Sequence, residues 1–389
     1  METLKILRIQ FQNIPLYKDG QVEINLTATD RVSDVGQVYE IQKSLYTQKL
    51  IAFGGINASG KTTALKLLYL AFSIVLGNIS LNTPGLMGVS FLGDKTTMKV
   101  DFFYKDRMYE LQSDIQKDAR GHLSYTEETL QWKPARSIKS KKTIFEFPKE
   151  NSCIKRRSTL APETLSVLHD DDSIAIMETR GHDTLFAQVI SLTNMNFCTT
   201  LGTSPMVVLN AFDPNLETLS SENHEGEISY RVKFKNQNHS YQVHNVAILS
   251  DMISSGTIKG QNLICMIQSI LQKGGYLLVD ELENHMNKAL VQMILDVFKD
   301  PHINPKGACL LFSTHYTEIL DFIDRKDDIY ITRRAKEKGN PLELINYADV
   351  VRRNDVKKSE VFISNYIGGT APSYAYIEAL KEALCQINQ

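Results

Sequence analysis

An α/β fold is predicted by three short stretches of this chain. The apolar run Leu50-Ile51-Ala52-Phe53 leads into a glycine-bounded loop, and a helical stretch opens at Thr63. Tyr276-Leu277-Leu278-Val279 ends in the carboxylates Asp280 and Glu281, and Leu310-Leu311-Phe312 ends in Ser313-Thr314-His315. None of the three runs alternates apolar with polar residues. Strands covered on both faces read that way, and such strands belong to sheets with helices on each side.

The loop is the first element to justify. Gly55-Ile56-Asn57-Ala58-Ser59-Gly60-Lys61-Thr62 fits G-x-x-x-x-G-K-[ST] at every fixed position, between a strand and a helix. Glycines allow the backbone N–H groups to turn inward on phosphate oxygens, and a helix N-terminus adds partial positive charge. The expected nucleotide contacts are Gly55, Asn57, Ala58, Ser59, Gly60, Lys61, Thr62 and Thr63. Lys61 would reach the β- and γ-phosphates, and Thr62 would offer its hydroxyl to Mg²⁺. The alternative is a chance glycine-rich turn, which the strand–loop–helix context disfavours. A P-loop NTPase follows.

Between residues 89 and 148, strand-like runs alternate with polar turns. Met98–Tyr104 and Met108–Leu111 flank Lys105-Asp106-Arg107 as a hairpin. Residues 155–222 read mostly as helix and loop, including Thr184–Ile190, and no heptad repeat supports a long coiled coil. Strands return at Ile228–Phe234 and Ser240–Val243. Next comes Ser254-Ser255-Gly256-Thr257, opening a helix whose Leu263, Ile267, Ile270 and Leu271 share one face. Hydroxyls and a glycine at a helix start suit either a second anion site or a plain N-cap. Asp280 is the expected Mg²⁺ ligand with Thr62, and Glu281 the general base for an attacking water. His315, closing the third strand, is placed to sense a γ-phosphate. The tail ends in an amphipathic helix, Tyr374–Ile387.

The net charge of −2 implies no general attraction to polyanions. The five cysteines are scattered and lack metal-ligand spacing, as in a reducing compartment. With no signal peptide and no apolar run of about 18 residues, the expectation is a cytoplasmic protein without a membrane partner. One stretch is basic. Lys133, Arg136, Lys139, Lys141, Lys142, Lys149, Lys155, Arg156 and Arg157 stand against Glu146 and Glu150, with Trp132, Phe145 and Phe147 interleaved. It suits nucleic-acid contact, docking of an acidic partner, or a solvated loop.

In order, the phosphate loop, serine–glycine turn, Asp-Glu strand and histidine resemble an ABC-type ATPase head. Asn57 gives the G-x-N-x-x-G-K-T form typical of the SMC, RecF and OLD group. Asp280-Glu281-Leu282-Glu283-Asn284-His285 resembles the D-E-x-E-N-H segment of small bacterial AAA15- or AAA21-type ATPases. The opening Leu4–Asn13 and the closing Pro372–Ile377 are also similar to theirs. The resemblance implies a mixed central sheet, with an ATPase lobe carrying Walker A at 1–88, an added antiparallel β-layer at 89–150, and a helical insertion with returning strands at 151–245. The signature, Walker B and switch histidine would fill 246–335, and a tail 336–389. It also implies slow Mg²⁺-dependent ATP hydrolysis in a homodimer or higher even oligomer. There Ser254, Ser255, Gly256 and Thr257 would cover the partner's ATP in trans. About 55 residues follow Arg334, too few for the nuclease domain of larger relatives. A separately encoded effector is therefore expected, in the manner of two-gene anti-phage systems. Two other readings stay open: a DNA-repair or chromosome-maintenance ATPase binding DNA, and a non-hydrolysing nucleotide-dependent assembly module.

Overall fold

The computed structural model describes residues 3–32, 34–147, 153–190, 202–225, 227–353, 356–371 and 374–387. At its centre lies a six-stranded sheet in the order Phe186–Val189, Tyr276–Val279, Cys309–Thr314, Leu50–Gly54, Ile329–Arg334, Leu342–Asn346. The first five strands run parallel and the last antiparallel, so the sheet is mixed. Every residue of Leu50–Gly54, Tyr276–Val279 and Cys309–Thr314 is buried, which accounts for the apolar runs Leu50–Phe53, Tyr276–Val279 and Leu310–Phe312 within them.

Alternate side chains of these strands enter two different cores. Ile51, Phe53, Leu278 and Leu311 join Leu65, Leu68 and Phe72 of the helix Lys61–Val75. Leu50, Ala52, Leu277, Val279, Leu310 and Phe312 meet the helices Ser255–Lys273 and Lys288–Lys299 through Leu263, Ile267, Val291 and Phe298. Each fully buried Leu or Phe contributes about 1.5–3 kcal/mol of transfer free energy. The sheet is thereby held at fixed height between its layers.

Beyond the helix Lys61–Val75 stands an antiparallel sheet in the order Val22–Asn25, Lys5–Gln12, Lys95–Tyr104, Arg107–Lys117, Leu123–Pro134, Cys153–Arg156. The expected hairpin is present. Its two-residue turn, Lys105-Asp106, has φ values of 49° and 56°, the left-handed pair that matches strand twist. This layer also recruits the chain's first strand, Lys5–Gln12, which belongs to it and not to the central sheet.

The stretch expected to be helical is corrected. Among its described residues the helices are short, Pro162–Leu165, Ile176–Thr179 and Met206–Phe212. Thr184–Ile190 contains the edge strand Phe186–Val189, paired in parallel with Tyr276–Val279. The reason is tertiary: Phe186 packs on Tyr69 and Phe72, and its pairing partner lies ninety residues on. Gly202–Thr203, Leu216–His224, Glu227–Phe234 and Tyr241–Val243 form a separate four-stranded sheet. Its small core includes Ile253 and Ile258, which flank the turn Ser254–Thr257. The tail helix Tyr374–Ile387 is present, while Pro372 and Ser373 lie outside the described residues.

Candidate nucleotide site

The carboxyl ends of parallel strands are where open α/β sheets bind ligands. Register aligns three of them here: Phe312 pairs with Val279 on one side and Ala52 on the other, and Thr314 with Gly54. The loops that follow converge on one place. The strand ending at His315 lies between the phosphate-loop strand and the Asp280 strand, so its terminal residues contact both.

The phosphate loop has the backbone that its glycines predict. Gly60 sits at φ 103° as the N-cap of the helix Lys61–Val75, with Ala58 at φ 59° before it. At Gly55 a side chain has no room, because a Cβ would lie 2.3 Å from Thr332 O and 2.6 Å from Ser59 Oγ. Ser59 Oγ and Thr332 Oγ1 are 2.6 Å apart and tie the loop to its neighbouring strand. Asn57 and Ala58 are exposed at the tip, and Thr63 is half-buried in the first helical turn. Arg334 Nε donates to Ala58 O at 3.0 Å.

Thr62 and Asp280 meet. Thr62 Oγ1 donates to Asp280 Oδ2 at 2.7 Å, and Ser313 Oγ donates to Asp280 Oδ1 at 2.5 Å. Two hard oxygen donors in contact at the end of a phosphate loop suit Mg²⁺, and these are the two residues expected to hold it.

Lys61, His315 and Glu281 form a chain. Lys61 Nζ is 3.2 Å from His315 Nδ1, and His315 Nε2 is 3.1 Å from Glu281 Oε1. An ammonium only donates, so Nδ1 accepts and the ring proton sits on Nε2, pointing to the carboxylate. Lys61 also donates to Gly55 O at 2.8 Å and Ile56 O at 2.9 Å. Burial lowers its pKa to about 8, against the raising influence of Asp280, Glu283 and Glu281. The lysine is thus held by carbonyls where a phosphate would serve it better. Glu281 adopts φ 50°, a left-handed conformation uncommon outside glycine, and its N–H donates to Ser313 Oγ at 2.7 Å.

The turn Ser254–Thr257 is an N-cap in this structure. Ser254 Oγ accepts from Thr257 N at 3.1 Å and lies 2.7 Å from Thr257 Oγ1. Ser255 and Gly256 are half-buried and outside that cap. Gly256 is pressed onto the loop after Asp280, since a Cβ there would stand 2.3 Å from His285 O.

Four contributors escaped the sequence reading. Ser313 and Thr332 look like ordinary strand residues. Glu283, 6 % exposed, accepts from the His315 N–H at 2.7 Å, and Lys259, 7 % exposed, donates to Glu281 O at 2.8 Å. The duplicated carboxylate in Asp-Glu-Leu-Glu was the one available signal.

The basic stretch is divided between the fold and the surface. Lys133 donates to Thr143 O and Glu146 O, Lys141 to Asp30 O, Lys155 to Glu178 and Arg157 to Glu128. Trp132, Phe145 and Phe147 lie beneath Arg107, Arg8 and Lys133. Arg136, Lys139, Lys142 and Arg156 remain exposed, and Lys149 lies outside the described residues. No helix among the described residues is long and apolar enough to cross a membrane.

No curated protein matches the chain by sequence. A family model described as "AAA domain, putative AbiEii toxin, Type IV TA system" matches residues 50–321. That span holds the phosphate loop, the Ser254–Thr257 turn, Asp280, Glu281 and His315, and the chain belongs to this family, AAA_21.

Proposed function

We propose that the protein is an ATPase of the ABC-head type, in which ATP joins two heads and hydrolysis releases them. The observation that carries the reading is the contact of Thr62 with Asp280, with Glu281 and His315 linked beside it. When bound between Thr62 and Asp280, Mg²⁺ would neutralise charge on the β- and γ-phosphates.

The chain's own groups account for the remaining steps. The N–H groups of Gly55–Thr62 cradle the triphosphate, and Lys61 moves from the carbonyls of Gly55 and Ile56 to phosphate oxygens. Glu281 accepts a proton from the attacking water, and His315 turns its Nε2–H from Glu281 to the γ-phosphate. Ser255 and Gly256 cover the nucleotide of a second copy, and Ser254 and Thr257 hold that turn in shape. Binding of ATP by the assembled state only makes the nucleotide an assembly switch.

The family's toxin–antitoxin description supports a two-component context, with this head acting as nucleotide-switched sensor or scaffold for a separately encoded effector in anti-phage defence. The DNA-binding reading is weaker, because the three aromatics that would stack on bases are covered by internal cations.

The test is the native mass of Glu281→Gln with and without Mg·ATP, beside wild-type phosphate release. Trapped ATP is expected to raise the mass to an even-numbered assembly. A variant that binds ATP and stays monomeric sinks the sandwich mechanism. Wild-type turnover equal to that of Glu281→Gln would make the protein a non-hydrolysing assembly module instead.

A further inference from the structure

We propose that Lys259 is a positioning residue that ties this chain's serine–glycine turn to its own catalytic carboxylate, so that seating the turn on a partner's nucleotide sets Glu281. The inference rests on the sandwich reading above and extends it to communication between the two sites.

Lys259 lies one helical turn into the helix Ser255–Lys273, directly after the turn. A lysine at this depth is costly, and helices that only need packing place apolar residues there. Its ammonium donates at 2.8 Å to the main-chain carbonyl of Glu281. That carbonyl belongs to a residue at φ 50°, a left-handed conformation that residues other than glycine rarely adopt. The lysine therefore clamps one of the two residues of the Asp280–His285 loop held at positive φ. Glu283 stands beside it. One of its oxygens holds the His315 N–H, while the other is buried without a hydrogen bond in the field of Lys259 and Lys61.

A second link runs in parallel. Gly256 approaches His285 O so closely that a Cβ would sit 2.3 Å away, and His285 is itself at φ 63°. The turn that would read the partner's γ-phosphate thus meets the Glu281–His285 loop at both ends. On the turn's far side, Ile253 and Ile258 root it in the separate small core. A shift of the turn on engagement passes through the Lys259 clamp to Glu281, which faces the chain's own nucleotide. Because each copy's turn would touch the other's ATP, the two hydrolytic events become linked, with Lys259 the side-chain link within each chain.

The experiment compares wild type, Lys259→Met and Lys259→Arg as full chains. Turnover is followed against ATP concentration, affinity with a fluorescent ATP analogue, and folding by thermal melting. Wild-type turnover is expected to be cooperative, with a Hill coefficient between about 1 and 2 for two coupled sites. Lys259→Met should lower kcat about ten-fold or more and bring the Hill coefficient to about 1, with analogue affinity within about three-fold. Lys259→Arg, which keeps the charge and the donor, should recover cooperativity. Lys259→Met with wild-type kcat and cooperativity overturns the proposal. So does a kcat loss matched by equal losses of affinity and melting temperature that Arg does not repair, since that describes a packing role. If Glu281→Gln assembles on ATP while wild-type turnover is non-cooperative, the coupling alone fails. If Glu281→Gln does not assemble, the sandwich reading fails and the coupling falls with it.

Discussion

Replacing Ser313 by alanine removes a hydroxyl and nothing else, yet that hydroxyl joins Asp280 to Glu281. It donates to Asp280 Oδ1 at 2.5 Å and accepts from the Glu281 N–H at 2.7 Å, in a residue 0 % exposed. A hydrogen bond to a charged group contributes about 1.5–3 kcal/mol, and a buried N–H left without an acceptor costs about 1–3 kcal/mol. Asp280 keeps Thr62 on its other oxygen, so part of the first term survives. A net loss of about 3 kcal/mol is expected, read as a lower urea midpoint at unchanged slope. The catalytic effect should exceed the binding effect. Without its N–H anchor, Glu281 is free to leave the left-handed conformation that aims it at His315. Phosphate release should fall about ten-fold or more, and affinity for a fluorescent ATP analogue should change much less, because the Ser313 hydroxyl contacts Asp280 and the Glu281 N–H and not a group of the phosphate loop itself. Wild-type stability and turnover in Ser313→Ala would refute the assignment of Ser313 as the hub.

Two further outcomes follow from the same geometry. Gly55→Ala places a Cβ 2.3 Å from a backbone carbonyl, so overpacking of about 1–3 kcal/mol and loss of analogue binding are expected together; normal binding by this variant would show that the loop is not closed as described. Lys5 donates to Gly274 O, Lys306 O and Gly307 O, and burial lowers its pKa from 10.5 to about 7. Above about pH 7 the unfolded chain then binds more protons at this site than the folded one, so stability from Lys5 rises with pH up to the unfolded value. Urea titrations from pH 7 to 8.5 should show wild type gaining on Lys5→Met, at up to about 1.4 kcal/mol per pH unit. A constant difference would refute the shift.

What could be read from the sequence was local. The phosphate loop and the two strands ending in Asp280 and His315 announce themselves because fixed chemistry demands fixed residues over a few positions. The same holds for the Lys105-Asp106 hairpin. The strand Phe186–Val189 is not legible locally because four residues, Gln188 among them, are too few to show a period of their own, and the strand Tyr276–Val279 that recruits them is distant in sequence. Lys5–Gln12 shows the same effect: its alternation announces a strand without saying which sheet takes it. In the site, Ser59 and Thr332 are 273 residues apart and meet only once the sheet is ordered. Lys259 and Glu283 resemble solvated charges in any local window. Their burial is set by the closure of the helix Ser255–Lys273 over the Asp280 loop, which no spacing rule reports.

That closure also divides the labour among the four turn residues. Ser254 and Thr257 are committed within the chain: the Ser254 hydroxyl accepts from the Thr257 backbone N–H and lies against the Thr257 hydroxyl, and losing the Ser254 cap would cost the 19-residue helix about 1 kcal/mol. Ser254 is poorly placed to give its hydroxyl to a neighbour's phosphate without that loss, and Thr257 is buried. Ser255 and Gly256 stand between them, free of the cap, and are the residues that a partner's nucleotide would meet. Gly256 then answers two demands. On one face, the lack of a side chain allows phosphate oxygens close to the backbone. On the other, it lets His285 O approach to a distance that alanine would forbid. An effect of Gly256→Ala on turnover therefore cannot by itself assign the glycine to the partner's ATP, because it would also displace the loop that carries Glu281. Ser255→Ala leaves that contact untouched and is the cleaner probe of the trans role.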